Sequence, residues 1–93
     1  MNAYEWLVQH RGREVRLVRT GGPWPVLVLR FVVRPDEPLR APSGEWALLV
    51  RRDCIFRFAA GEVGTASGDV AECVSRDKCD GRDYRYRFFS ETA

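Results

Sequence analysis

The segment Asp83-Tyr84-Arg85-Tyr86-Arg87-Phe88 alternates between charged and aromatic side chains. Successive side chains of a β-strand point to opposite faces of its sheet. Tyr84, Tyr86 and Phe88 therefore share one face, and the two arginines share the other. The favoured interpretation buries the aromatic rings in the core and leaves the arginines in solvent. This segment predicts a β-rich domain in which one sheet face is covered.

The residues on either side of the turn at 77–82 predict a hairpin. Residues 70–75 contain apolar side chains at strand spacing, and the turn that follows is rich in Asp and Gly. Such residues are common at hairpin ends because they adopt turn conformations at little cost. Upstream, residues 61–68 contain three glycines and are predicted to form a loop.

Four further stretches predict strands. Residues 13–18 alternate apolar and charged side chains, and residues 46–50 and 54–60 are short apolar runs. Residues 25–34 are almost entirely apolar, with Arg30 as the one charge inside the run and Arg34 at its end. Such density is typical of a central strand that is covered on both faces. Three prolines within residues 35–45 predict a stiff, extended loop, because proline cannot donate to a sheet ladder.

The N-terminus predicts a short helix. Asn2 is a good N-cap, and Glu5 stands three residues later, as in a capping box. Tyr4, Leu7 and Val8 then fall on one helical face, and Gly12 is placed to end the helix. About eight residues are too few for an isolated stable helix, so it must pack on the sheet.

Together these patterns predict a mainly β (α+β) fold over residues 1–93 as a single domain. A short N-terminal helix is expected to pack on a five- to six-stranded antiparallel sheet or small barrel. The expected core consists of apolar residues from the helix and the strands: Leu7, Val15, Leu17, Val26, Val28, Leu29, Phe31, Val33, Trp46, Leu48, Val50, Phe56 and Phe58.

The reactive side chains do not form a recognisable catalytic or metal-binding set. The chain has three cysteines, none in a C-x-x-C pair, and a single histidine, His10. His10 is better explained as a cation at the helix C-terminus. Cys54 and Cys73 are expected to be small buried hydrophobes, and Cys79, in a polar turn, to be the one accessible thiol. We therefore predict no enzyme activity, no metal and no cofactor.

The charge of the chain bears on its partners. Lys and Arg total 15 against 13 Asp and Glu, and every basic residue except Lys78 is an arginine. A net charge of +2 is far below that of most nucleic-acid-binding domains. No signal peptide or membrane-spanning segment is visible, so we expect a cytoplasmic protein with no membrane partner.

Two functional hypotheses follow. The favoured one is a small, soluble, non-enzymatic protein that binds another protein, as inhibitor, immunity or accessory proteins of bacteria or phage do. Its predicted contact residues are Trp24, Arg40, Arg51, Arg52 and Tyr84. The alternative is a small-barrel nucleic-acid-binding protein, which would contact phosphates through arginines of its strands: Arg13, Arg16, Arg19, Arg85 and Arg87.

Overall fold

A computed structural model describes residues 1–23, 25–40, 42, 44, 46–51, 54–59, 64–76 and 81–91. It is mainly β, with one short helix, as the sequence predicts. The elements in chain order are α1 (Ala3–Gln9), β1 (Glu14–Thr20), β2 (Leu27–Val32), β3 (Leu39–Arg40), β4 (Trp46–Arg51), β5 (Cys54–Ala59), β6 (Gly64–Ser67), β7 (Val70–Arg76) and β8 (Asp83–Ser90).

The strands form two antiparallel sheets. The larger has the order β2-β1-β8-β7-β6 and the smaller the order β3-β4-β5. In the larger sheet the last strand, β8, lies between β1 and β7. Its register places Phe88 opposite Leu17 on one side and Ala71 on the other. Neither sheet closes into a barrel within the described part of the chain, so the barrel alternative was wrong.

The core lies where the two sheets pack together. Phe58 of β5 contacts the ring of Phe88, with centroids 5.3 Å apart, and the ring of Tyr86 at 6.0 Å. Tyr84, Tyr86 and Phe88 are all buried, while Arg85 is exposed. The alternation of residues 83–88 therefore predicted the two faces of β8 correctly.

The helix begins at the predicted N-cap, but it ends at Gln9 with His10 as its C-cap, before the predicted Gly12. The side chain of Asn2 accepts a hydrogen bond from the amide of Glu5 at 2.9 Å. The face that packs on the sheet contains Ala3, Trp6 and Leu7 rather than Tyr4 and Val8, which are only half-buried. Trp6 donates its indole N–H to the carbonyl of Gly68 at 2.9 Å, which attaches the helix to the turn between β6 and β7.

The prediction that residues 25–34 form a central strand covered on both faces was wrong. β2 is an edge strand, and the exposed fractions of Val26, Val28 and Val32 are 61%, 57% and 53%. Only the alternate side chains turn inward: Phe31 is buried and Leu29 is half-buried. The segment is therefore rich in apolar residues although one face of its strand is exposed to solvent.

The small sheet differs from the prediction in two ways. In β4 the buried residues are Ala47 and Leu49, whereas Trp46 and Leu48 are half-buried and Val50 is exposed. The prediction directed Trp46, the largest side chain of this strand, into the core. The structure instead directs Ala47 inward, because a small side chain fits the closely packed interior. In addition, the predicted loops contain two short strands, β3 and β6, so the chain has more strands than expected.

Candidate interaction surface

The larger sheet has one face against the core and one face toward solvent, which we call the outer face. Even-numbered residues of β1, β2 and β7 and odd-numbered residues of β8 occupy it, because their neighbours along each strand are buried. Register places Val28 beside Val18, and Phe89 between Arg16 and Val70. The outer face therefore mixes valines and one aromatic ring with arginines.

The β2 edge of this face also presents unpaired backbone. The amide of Val33 donates to the carbonyl of Arg13 at 3.0 Å. In an antiparallel ladder such bonding alternates, so the N–H and C=O groups of Val28 and Arg30 point away from β1. The carbonyl of Val32 points the same way and accepts a hydrogen bond from Arg51 Nη2 at 3.2 Å. Among the described residues, the free part of the edge therefore lies at residues 28–30.

Two arginines of the outer face form ion pairs with carboxylates. Arg16 lies over the ring of Phe89, 4.7 Å from its centroid, and its Nε is 3.2 Å from a carboxylate oxygen of Glu91. Arg85 forms a similar ion pair with Glu72 at 3.1 Å. Arg30 is exposed and lies opposite Arg16 in the register. The exposed valines of β2 therefore lie next to Arg30, whereas Glu14 lies opposite Val32 at the end of the strand.

Among the predicted phosphate contacts, Arg16, Arg85 and Arg87 lie together on the outer face. Arg87 stands between Val18 and Glu72 in the register, and its buried Nε has no hydrogen-bond partner among the residues the structure describes. Arg19 has the opposite parity and lies over the ring of Tyr84, at 5.6 Å. Arg13 is exposed in the connection before β1. The five arginines therefore do not form one surface.

The residues predicted to contact a protein are likewise dispersed. Trp24 and Arg52 lie outside the described residues. Arg40 is exposed and lies 4.8 Å from the ring centroid of Tyr4, beside the helix. Tyr84 is only 5% exposed, and Arg51 takes part in an internal ion pair.

That ion pair joins Arg51 to Glu37, and it holds several segments together. Glu37 is 2% exposed, and its carboxylate accepts hydrogen bonds from Arg51, from the amide of Arg34 at 3.2 Å and from the amide of Val50 at 3.3 Å. Burial alone would raise the pKa of Glu37, but these hydrogen bonds and the charge of Arg51 lower it below its ordinary value. Arg51 therefore joins β4 to the end of β2 and has little surface left for a partner.

Tyr84 is held by a close approach of the loop that follows β1. At Gly22, where φ is +62°, an added Cβ would lie 2.6 Å from the Tyr84 hydroxyl oxygen. At Gly21, where φ is +115°, it would lie 2.6 Å from the carbonyl oxygen of Asp83. Only glycine permits both the positive φ and the contact. These two glycines therefore allow the loop to pack on the start of β8.

The reactive side chains that the structure describes are buried. Cys73 is a free thiol, and burial, followed by the charge of Glu72, raises its pKa to about 12. His10 caps the helix, donates from Nδ1 to the carbonyl of Trp6 at 2.7 Å and stacks on its ring at 3.7 Å. Cys79 lies outside the described residues, and the side chain of Cys54 is likewise not described.

In the described part of the chain, no three His, Cys, Asp or Glu side chains are grouped as metal ligands would be. The helix that the structure describes is too short and too polar to span a bilayer.

No protein-family model, curated protein or solved structure matches this chain. The function is therefore inferred from the geometry of the outer face. Sequence reasoning missed Val28, Arg30 and Val32 as surface residues. One signal could have revealed them: Arg30 has the parity of Val28 and Val32, and an unpaired charge belongs on the solvent side of a strand.

Proposed function

We propose that this protein acts by binding another protein through the outer face and the β2 edge of its larger sheet. The observation that carries the proposal is the exposure of Val28 and Val32 on β2 and of Val26 just before it, each more than half accessible, at a strand that ends the sheet among the described residues. Edge strands of natural proteins are usually shielded from pairing with the strands of other chains. An edge with several exposed apolar side chains is typical of a surface that a partner covers.

The chemistry of the surface restricts the partner. Arg30 lies between the exposed valines, and Arg16 and Arg87 lie farther in on the same face. A partner that presents apolar side chains together with carboxylates would match this pattern. The free backbone groups at residues 28–30 would in addition accept an extended segment of the partner in antiparallel pairing. We therefore propose a protein partner whose contact segment is extended, apolar and acidic.

The nucleic-acid alternative has less support from the same surface. Arg16 and Arg85 are already paired with Glu91 and Glu72, so phosphates would have to displace carboxylates. Single-stranded nucleic acids also bind to exposed aromatic rings, on which their bases stack. On this face Arg16 lies over the ring of Phe89, while the exposed apolar side chains of β2 are valines, which offer bases no stacking surface.

The proposal is tested by charge substitution on the edge strand. Partners captured from lysate of the source cells are identified and purified, and their affinity is then measured for the wild type and for the variant Val28→Asp. We expect binding to the variant to be at least about tenfold weaker, which is about 1.4 kcal/mol, since the substitution removes an apolar contact and would bury an unpaired carboxylate beneath the partner. Arg30→Glu should weaken binding as well, because it would repel an acidic segment.

Leu39→Asp is the matched control. Leu39 is 39% exposed, but it lies on β3 in the other sheet, so the affinity of that variant should be unchanged. Equal affinity of the wild type and Val28→Asp for every captured protein would refute the proposed surface. Capture of nucleic acid alone, with affinity that falls steeply as salt is added, would favour the alternative instead.

A further inference from the structure

A second surface feature is a cleft where β5 of the small sheet meets the ends of β1, β7 and β8. Its volume is about 170 Å³. Arg19, Arg57 and Arg76 line it together with Ser75, Tyr84 and Tyr86. None of the described residues that line the cleft is acidic. Arginines from three different strands, β1, β5 and β7, therefore line one small space.

The guanidinium of Arg57 lacks a hydrogen-bond acceptor for one of its nitrogens among the described residues. Its guanidinium carbon lies over the ring of Trp46, 4.1 Å from the centroid. Its Nη2 is buried and has no hydrogen-bond partner among the residues that the structure describes. A buried donor without an acceptor is unfavourable, and a charged one more so. An anion bound in the cleft that Arg57 lines would accept a hydrogen bond from this nitrogen.

The other two arginines leave most of their charge available to the cleft. Arg19 is positioned over the Tyr84 ring. Arg76 is 3.2 Å from a carboxylate oxygen of Asp83, but both side chains are largely exposed. An exposed ion pair of this kind is weak and is screened by salt. Against three positive charges, the described neighbourhood of the cleft thus offers one carboxylate, on its rim.

We propose that this cleft binds a phosphate group. Guanidinium groups match the oxygens of phosphate in paired hydrogen bonds, and three of them favour a doubly charged anion over a single carboxylate. The cleft volume corresponds to that of about five water molecules at roughly 30 Å³ each. That is enough for a phosphate and part of an attached organic group. The apolar side chain of Ile55, also at the cleft, would contact such a group.

The site uses none of the residues assigned to the protein partner, so the two proposals can fail separately. Binding of inorganic phosphate and of phenyl phosphate is measured by isothermal titration calorimetry at constant ionic strength, with acetate as the carboxylate comparison. We expect saturable 1:1 binding of phosphate and no comparable binding of acetate. Tighter binding of phenyl phosphate would identify a phosphate monoester as the ligand, and equal or weaker binding would identify free phosphate.

The variants assign the binding to the cleft. Arg57→Gln and Arg19→Gln should each weaken phosphate binding about tenfold or more, as expected for loss of a charge-assisted hydrogen bond. Near-UV circular dichroism establishes that each variant is folded, and Arg19→Gln leaves the stack of Arg57 on Trp46 intact. Arg30→Gln, on the outer face, is the charge-matched control and should bind phosphate as the wild type does. Absence of saturable binding, or equal weakening by Arg30→Gln, would overturn the proposal.

Discussion

The ion pair between Glu37 and Arg51 permits a quantitative prediction. In the variant Glu37→Gln the side-chain volume is kept, but the negative charge and one acceptor oxygen are lost. Oε2 accepts from Arg51 and from Val50 N–H, and Oε1 from Arg34 N–H. Either orientation of the amide would therefore direct its NH₂ group against a donor.

The expected cost follows from these contacts. Removing one partner of a fully buried ion pair typically costs about 3–5 kcal/mol. The side chain of Arg51 keeps 15% of its exposure, and water can partly solvate it, so we expect a loss of about 2–4 kcal/mol in the free energy of unfolding. Equilibrium urea unfolding at pH 7, followed by tryptophan fluorescence, measures this loss. Asp36→Asn is the control, because Asp36 is exposed and its substitution should change stability by less than about 0.5 kcal/mol.

The same variant has a defined pH dependence. The pKa of Glu37 is lower in the folded protein than its ordinary value of 4.5. Its contribution to stability is therefore complete above that value and is lost as the pH falls through the folded pKa. Glutamine does not titrate, so the difference between the wild type and Glu37→Gln should narrow below pH 4.5 by at most about 1.4 kcal/mol per pH unit. A difference below about 1 kcal/mol at pH 7, or one that grows in acid, would refute this account of Glu37.

Two further predictions concern the interior. At pH 8, Cys73 of the folded protein should react with iodoacetamide at least about a hundredfold more slowly than in urea, because its raised pKa leaves little thiolate; peptide mapping by mass spectrometry measures this, and similar rates would contradict its burial. Gly22→Ala should destabilise the fold by about 2–3 kcal/mol, since it combines backbone strain with a clash against Tyr84. Gly12→Ala, with a similar φ but open space, should cost only about 1 kcal/mol; equal costs in urea unfolding would show that the Tyr84 contact is unimportant.

Two features, the faces of β8 and the N-cap of the helix, were predicted correctly from short stretches of sequence. The alternation in residues 83–88 predicted the two faces of β8 because this strand has the core on one side and solvent on the other. The cap at Asn2 was likewise predictable, since Asn2 and Glu5 are three residues apart. The signal for β8 is the alternation of neighbouring side chains, and the cap is a contact between residues three apart, so both are visible within a short stretch of sequence.

The position of β2 was not predictable in this way. A run of valine and leucine is expected for a strand buried on both faces, and it also fits an edge strand with one buried face and an apolar outer face. Only pairing with distant strands distinguishes the two. The same limitation applies to the surfaces proposed here: Arg30 and Arg16 are neighbours through strand register, and Arg19 and Arg57 through the meeting of two sheets.

The insertion of β8 between β1 and β7 has a consequence for synthesis on the ribosome. The described strands β1–β7 all emerge before residues 83–90, yet those residues supply the middle of the larger sheet. Until they emerge, the β1–β2 and β6–β7 hairpins each keep an open inward edge, and neither can be joined to the other. Such edges associate readily with those of other nascent chains. The interval between completion of β7 and arrival of β8 is therefore the period in which this protein is most vulnerable to misassembly.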